Sequence, residues 1–106
     1  MCGFLGSATF NTISENTIVS CNERVECRGP DEKIIINNKK FKSNKLFHNL
    51  IFNRLSIIDL TKNASQPMYS EEFNTLIMFN GEIFNYKELR KKLEESKLRF
   101  YSSHSD

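Results

Sequence analysis

The stretch Leu46–Leu60 constrains this chain most. It holds Phe47, Leu50, Ile51, Phe52, Leu55, Ile57 and Ile58, and it carries a cation, Arg54, in their midst. β-Branched and aromatic side chains at this density belong in a strand that is at least half buried. Burying an unpaired guanidinium is costly, so Arg54 needs either an exposed strand end or an anionic partner. Two anions are open: the carboxylate of a bound substrate, gripped bidentately, or an internal carboxylate such as Asp59 or Asp31.

Other segments follow the same β-rich pattern. Cys2–Phe10 is apolar with small residues (Gly3, Gly6, Ser7, Ala8), which suits a buried strand with close backbone approach. Glu32–Phe41 carries Ile34-Ile35-Ile36 and then Asn37-Asn38, a pattern that predicts a strand and a hairpin turn. Phe73–Phe79 reads as a strand running into Asn80-Gly81, and Leu98–Tyr101 as the start of another. Thr61–Met68 is a loop punctuated by Pro67.

Two segments have helical spacing. The first starts at Ser14 as N-cap, with Ile18, Cys21 or Asn22, and Val25 on one face. Arg28-Gly29-Pro30-Asp31 should end it, because Pro30 disfavours helix in the residue before it and Gly29 tolerates a left-handed cap. The second runs from Tyr86 to Ser96 behind Asn85, with Leu89 and Leu93 four apart and Glu88–Lys92 in the favourable order. The expectation is one α+β domain.

Charge and composition exclude several classes. A net charge of +2 from 15 basic and 13 acidic residues gives no electrostatic case for nucleic acid or an anionic membrane. No apolar run approaches the roughly 18–20 residues that span a bilayer. Met-Cys-Gly-Phe-Leu-Gly lacks a basic n-region, so no secretory signal is expected. Cys2, Cys21 and Cys27 are odd in number and without CxxC spacing, which fits neither a disulfide framework nor a closed zinc site. His48 and His104 are isolated, so no metal is expected. The setting expected is cytoplasmic. The sequence stops on Ser-Ser-His-Ser-Asp without a terminal element to close a domain.

Two features could carry chemistry. Removal of Met1 would leave Cys2 with a thiol beside a free α-amine, whose ordinary pKa of about 7.7–8.0 makes it a usable base. One residue would then supply nucleophile and base together. The alternative is a small buried hydrophobe near a chain end. Asn80-Gly81-Glu82 is either a type I′ hairpin turn or an oxyanion hole, with the Asn80 carboxamide N–H and the Gly81 backbone N–H converging on one oxygen.

The order of the motifs is more specific than any one of them. Met-Cys-Gly-x-x-Gly, Arg-Gly-Pro-Asp, Arg-Leu-Ser-Ile-Ile-Asp, Gln-Pro-Met and Phe-Asn-Gly-Glu-Ile-Phe-Asn-Tyr-x-x-Leu-Arg, closing on Ser-Asp, cover the whole chain. Together they resemble the glutaminase domain of glutamine-hydrolysing asparagine synthetases, a class II glutamine amidotransferase domain. The resemblance implies an N-terminal-nucleophile fold, an αββα sandwich of antiparallel sheets, of which residues 1–106 are the N-terminal part, incomplete at the C-terminus.

It also implies roles. Cys2 would attack the carboxamide of L-glutamine, Asn80 and Gly81 would stabilise the oxyanion, and a glutamyl thioester would be hydrolysed to release ammonia. Arg54 would hold the substrate α-carboxylate, the Leu55, Ser56, Ile57 and Ile58 backbone would line the pocket, and Glu82 and Asp106 would receive the α-ammonium. No cofactor is implied for this segment. ATP and Mg belong to a synthetase domain that this sequence lacks and that would be its partner, and a homodimer is one assembly left open. Cys27 stands where the family usually has His, and Glu32-Lys33-Ile34 where it usually has a nearby Gly. Alternatives are a truncated non-catalytic fragment, a glutamine-binding module, or a paralogue amidating a sugar acid in polysaccharide synthesis.

Overall fold

The computed structural model describes residues 2–41 and 45–100. In chain order these form β1 (Gly3–Thr9), α1 (Glu15–Glu23), a 3-10 turn (Glu26–Arg28), β2 (Glu32–Lys40), β3 (Phe47–Arg54), a second 3-10 turn (Lys62–Ala64), β4 (Met68–Ser70), β5 (Thr75–Ile77) and α2 (Tyr86–Glu95). An antiparallel sheet has the order β1-β3-β2, and β4 and β5 make a separate antiparallel hairpin. The molecule is α+β with antiparallel sheets, as expected at that level.

β3 is the centre because it is covered on both faces. Asn49, Ile51 and Asn53 alternate with Phe52 and Arg54, and all five are buried. The Asn53 face looks toward α1: Asn53 Nδ2 donates to Asn22 Oδ1 at 3.0 Å, and Asn22 and Ile18 are the helix's buried residues. On the opposite face the register aligns Phe4, Phe52 and Ile34 across the three strands. A Cβ placed on Gly6 would meet Leu50 at 3.3 Å and Met78 at 3.9 Å, so the segment after β5 lies over this face.

β1 is a strand but not the buried strand expected. Gly3 is buried, whereas Phe4 and Leu5 are exposed, because β1 borders the sheet and pairs with β3 alone. α1 begins as expected, with Ser14 Oγ accepting the Thr17 N–H at 3.2 Å. It stops at Glu23, short of Val25, and the chain tightens into the 3-10 turn.

Gly29 is not a left-handed cap, since its φ is −156°. The requirement is steric: a Cβ there would stand 2.1 Å from the Asn53 carbonyl oxygen. The turn Asn37-Asn38 is likewise absent. β2 runs through it with a register shift between Ile36 and Lys39, and Asn38 sits at φ 49°. Asparagine tolerates that conformation, and its carboxamide ties the bulge down by exchanging two 2.9 Å hydrogen bonds with the Ile13 backbone.

The strand expected to reach Phe79 ends at Ile77. Helix α2 forms as the 3.6-residue pattern predicts, but Asn85 provides no side-chain cap and the helix buries no residue. Arg90 and Glu94 form an i,i+4 ion pair on it at 3.0 Å. A Schellman cap closes it, with Lys97 N–H bonded to Glu94 O at 2.9 Å and Leu98 N–H to Leu93 O at 3.1 Å. Residues 98–100 are not a strand, and Tyr101 lies outside the described residues.

Candidate active site

Antiparallel pairing places the thiol. Gly3 faces Asn53, so the preceding residue, Cys2, falls beside the end of β3. There the half-buried Sγ accepts the Leu55 backbone N–H at 3.4 Å and lies 3.8 Å from the Leu55 carbonyl oxygen. Arg28 Nε donates to the Cys2 carbonyl at 3.2 Å. The thiol is therefore fixed against the first residue of the Leu55–Ile58 segment by backbone groups on two sides.

Arg28-Gly29-Pro30-Asp31 reads locally as a helix stop, yet it holds this end of the sheet together. Gly29 lets the turn approach the Asn53 carbonyl. The Asp31 N–H donates to Arg54 O at 3.0 Å, and one Asp31 carboxylate oxygen accepts the Ser56 N–H at 2.7 Å. Leu55 and Ser56 are thus held between Cys2 and Asp31, while Ile57 and Ile58 are exposed. Nothing in the local sequence connects positions 28–31 with 2 and 56; only the strand register does.

Arg54 is 4% exposed and turned inward. Its Nη1 donates to Thr61 O at 2.9 Å, its Nη2 to Asp59 O, and Glu32 Oε2 lies 3.7 Å away. Of the two partners considered, the internal one is present: Asp59 contributes its backbone carbonyl, and Glu32, a carboxylate not among those expected from the sequence, stands 3.7 Å away. Asp31 caps Ser56, and the Asp59 carboxylate caps Thr61 with bonds of 2.8 and 2.7 Å. Glu32 is itself held by Ser65 Oγ at 2.7 Å.

Asn80 and Gly81 do not form a type I′ turn, which needs positive φ at both central residues; neither has it. After β5 the chain runs without regular structure to a bend at Gly81, with Asn80 half-buried and Gly81 and Glu82 exposed. Gln66 fixes the residue before them, its carboxamide bonded to both the N–H and the C=O of Phe79. Among the described residues, the hydrogen bonds of Cys2 run to Leu55 and Arg28 and do not reach Asn80. Asp106 lies outside the described residues. A cleft of about 910 Å³ between the bulged end of β2 and the β4–β5 hairpin contains none of the expected site residues. Among the described residues no group of three or more His, Cys, Asp and Glu side chains is placed to hold a metal ion, and no helix is long and apolar enough to cross a membrane.

The structure thus brings Cys2, the end of β3 and the Arg-Gly-Pro-Asp turn together, with the Asn-Gly-Glu segment after β5 held separately by Gln66. The chain belongs to the glutamine amidotransferase domain family, which matches it over residues 1–106. Its relatives include glutamine-hydrolysing asparagine synthetases. It is 38% identical over 103 residues to asparagine synthetase (glutamine-hydrolyzing) 1 of Bacillus subtilis (strain 168), covering 89% of this chain and 14% of that protein. It is 32% identical over 102 residues to asparagine synthetase (glutamine-hydrolyzing) 1 of Arabidopsis thaliana, covering 93% and 16%. The corresponding protein of Asparagus officinalis is 31% identical over 103 residues, again covering 93% and 16%. The chain thus spans about a sixth or less of the length of these relatives. No solved structure matches it.

Proposed function

We propose that this chain carries the glutamine-hydrolysing site of an asparagine-synthetase-type enzyme. The observation that carries the reading is the placement of Cys2, with Sγ 3.4 Å from the Leu55 N–H and its carbonyl held by Arg28, in a chain of this family.

Once Met1 is removed, the Cys2 α-amine takes the thiol proton and Sγ attacks the side-chain amide carbon of glutamine. The C–S bond forms as the carbonyl electrons move to oxygen. Asn80 and Gly81 donate N–H bonds to that oxyanion. On collapse the amine proton passes to the leaving nitrogen, which departs as ammonia. Water then cleaves the thioester, giving glutamate and restoring the thiol. Arg54 in this reading holds the substrate α-carboxylate as well as its internal partners, with Glu82 and Asp106 receiving the α-ammonium and Leu55–Ile58 lining the pocket.

The αββα sandwich of N-terminal-nucleophile hydrolases belongs to the same proposal, supported by α1 lying on one face of an antiparallel sheet and by Met78, just after β5, over the other. So do a cytoplasmic setting, an assembly as a homodimer, and a synthetase domain using ATP and Mg²⁺ to join the ammonia to aspartate. Ammonia release from glutamine, compared between the chain and Cys2→Ala, tests the core of it. Loss of release in the variant is the expected result, and equal rates would remove Cys2 from the mechanism.

A further inference from the structure

We infer that Gln66 is a positioning residue for the oxyanion-binding pair Asn80 and Gly81; this rests on the glutamine-hydrolysing reading above and adds a residue to it. Gln66 sits in the Gln-Pro-Met segment, to which the sequence assigns no chemistry, and its side chain is buried, the residue being 9% exposed. Oε1 accepts the Phe79 N–H at 2.6 Å, and Nε2 donates to the Phe79 C=O at 3.1 Å. The carboxamide therefore does what a neighbouring strand would do, satisfying both main-chain groups of one residue. Only a primary amide on a side chain of this length supplies donor and acceptor side by side.

The consequence reaches Asn80 through covalent geometry. The Phe79 carbonyl and the Asn80 N–H share one rigid peptide plane. Fixing the carbonyl direction fixes that plane, and with it the N–Cα bond on which Asn80 enters the segment. Phe79 has its backbone bonds from a side chain and not from a strand, since β5 ends two residues earlier at Ile77. Without Gln66 the segment carrying Asn80 and Gly81 has no such hold on its orientation.

The position of Gln66 is tied back to the thiol. Its neighbour Ser65 donates to the Glu32 carboxylate at 2.7 Å, Glu32 lies 3.7 Å from Arg54, and Arg54 precedes Leu55, whose N–H is bonded to Cys2 Sγ. Nucleophile and oxyanion segment are thus referenced to the same strand end through contacts that the local sequence does not connect. A contiguous set of contacts becomes a coupling only when a double-mutant cycle shows it.

The test is steady-state ammonia release from glutamine by the full chain. Gln66→Met keeps the volume and removes both bonds. Its kcat is expected to fall about 10- to 100-fold with KM changed less than about 3-fold, because misplacing a group by about 1 Å costs rate on this scale. Asn80→Ala should lose about 10²–10³, and adding Gln66→Met to Asn80→Ala should slow it by clearly less than Gln66→Met slows the wild type, the remainder being the Gly81 donor. Multiplying losses in the double variant, or a normal kcat in Gln66→Met, would overturn the role of Gln66. Normal activity in Cys2→Ala or Asn80→Ala would instead overturn the underlying site reading, so the two failures are separable. Amide exchange gives a readout independent of turnover: Phe79 N–H should exchange more than about 10-fold faster in Gln66→Met while β3 amides keep their protection. Unchanged exchange at Phe79 overturns the inference. If β3 protection is also lost, Gln66→Glu, which keeps the acceptor and places a carboxylate oxygen against the Phe79 carbonyl, carries the same cycle.

Discussion

Gly29 and Asn53 are in backbone contact so close that a single methyl at Gly29 would lie 2.1 Å from the Asn53 carbonyl oxygen and 2.6 Å from the Arg54 carbonyl carbon. The atoms in the way are main chain of the central strand, so they cannot rotate aside. Gly29→Ala is expected to cost about 3 kcal/mol of stability, the upper range of overpacking effects. Urea unfolding checks this. A shift in midpoint without a change in slope is the expected form, and a wild-type midpoint would show that the turn can back away from β3.

Arg54 joins the end of β3 to Glu32 and to the carbonyls of Asp59 and Thr61. Arg54→Met strands those carbonyls and the Glu32 carboxylate. Removing one partner of a fully buried pair costs about 3–5 kcal/mol, but Glu32 is partly exposed, its side chain at 29%, so about 2–3 kcal/mol is expected here. Thermal unfolding measures the loss, and Glu32→Gln, which keeps an acceptor for Ser65, should lose clearly less. Equal losses in the two would show that the ion pair, and not the carbonyl bonds, dominates.

Asn38 holds the β2 bulge through its conformation and its two bonds to Ile13. Asn38→Gly keeps the left-handed backbone and loses only the carboxamide, whereas Asn38→Val loses both. The expected order of stability is wild type, Gly, then Val, with about 1–2 kcal/mol from loss of the two side-chain bonds and roughly 1–2 kcal/mol more for forcing a β-branched residue to positive φ. A Val variant as stable as Gly would mean that the strand straightens when the bulge residue changes.

Lys97 occupies the left-handed position of the α2 cap at φ 64°, where glycine is the usual residue. Lys97→Gly should therefore stabilise the helix end by about 1 kcal/mol. Circular dichroism at 222 nm during heating reads the change. A lower midpoint would show that the lysine side chain contributes more than its conformation costs.

What could be read from the sequence was what is decided within one turn or one strand. The Ser14 cap, the span of α2 and the existence of β1, β2, β3 and β5 follow from spacing and local chemistry. The bulge at Asn38, the reason for Gly29, the end of β5 and the place of Glu32 beside Arg54 do not, because each depends on a residue brought alongside by strand register. Glu32 illustrates it. As the first residue of β2 it looks like a solvated strand end, and only its pairing with Arg54 across the sheet turns it into a counter-ion. Asp31 and Ser56 carry a weaker local hint, since an aspartate closing a turn often seeks a free backbone N–H. Gln66 carries none: its role exists only where the chain returns after the β4–β5 hairpin. Cys2 and the Asn80-Gly81 pair stand out in the sequence as candidates for chemistry, while Arg28 and Gln66, which bond their backbone or that of a neighbour, do not.

The strand order β1-β3-β2 has a consequence for how the molecule is assembled. The two strands made first are not neighbours; each waits for the one made last, which must enter between them. Until residue 54 is available, neither β1 nor β2 has its sheet partner, and closing β1 on β3 spans most of the first half of the chain. Loop-closure entropy is met before that pairing returns anything, which marks it as a slow step. Cys2 gains its backbone contacts at Leu55 in the same event, so completion of the sheet and seating of the nucleophile are one step of folding.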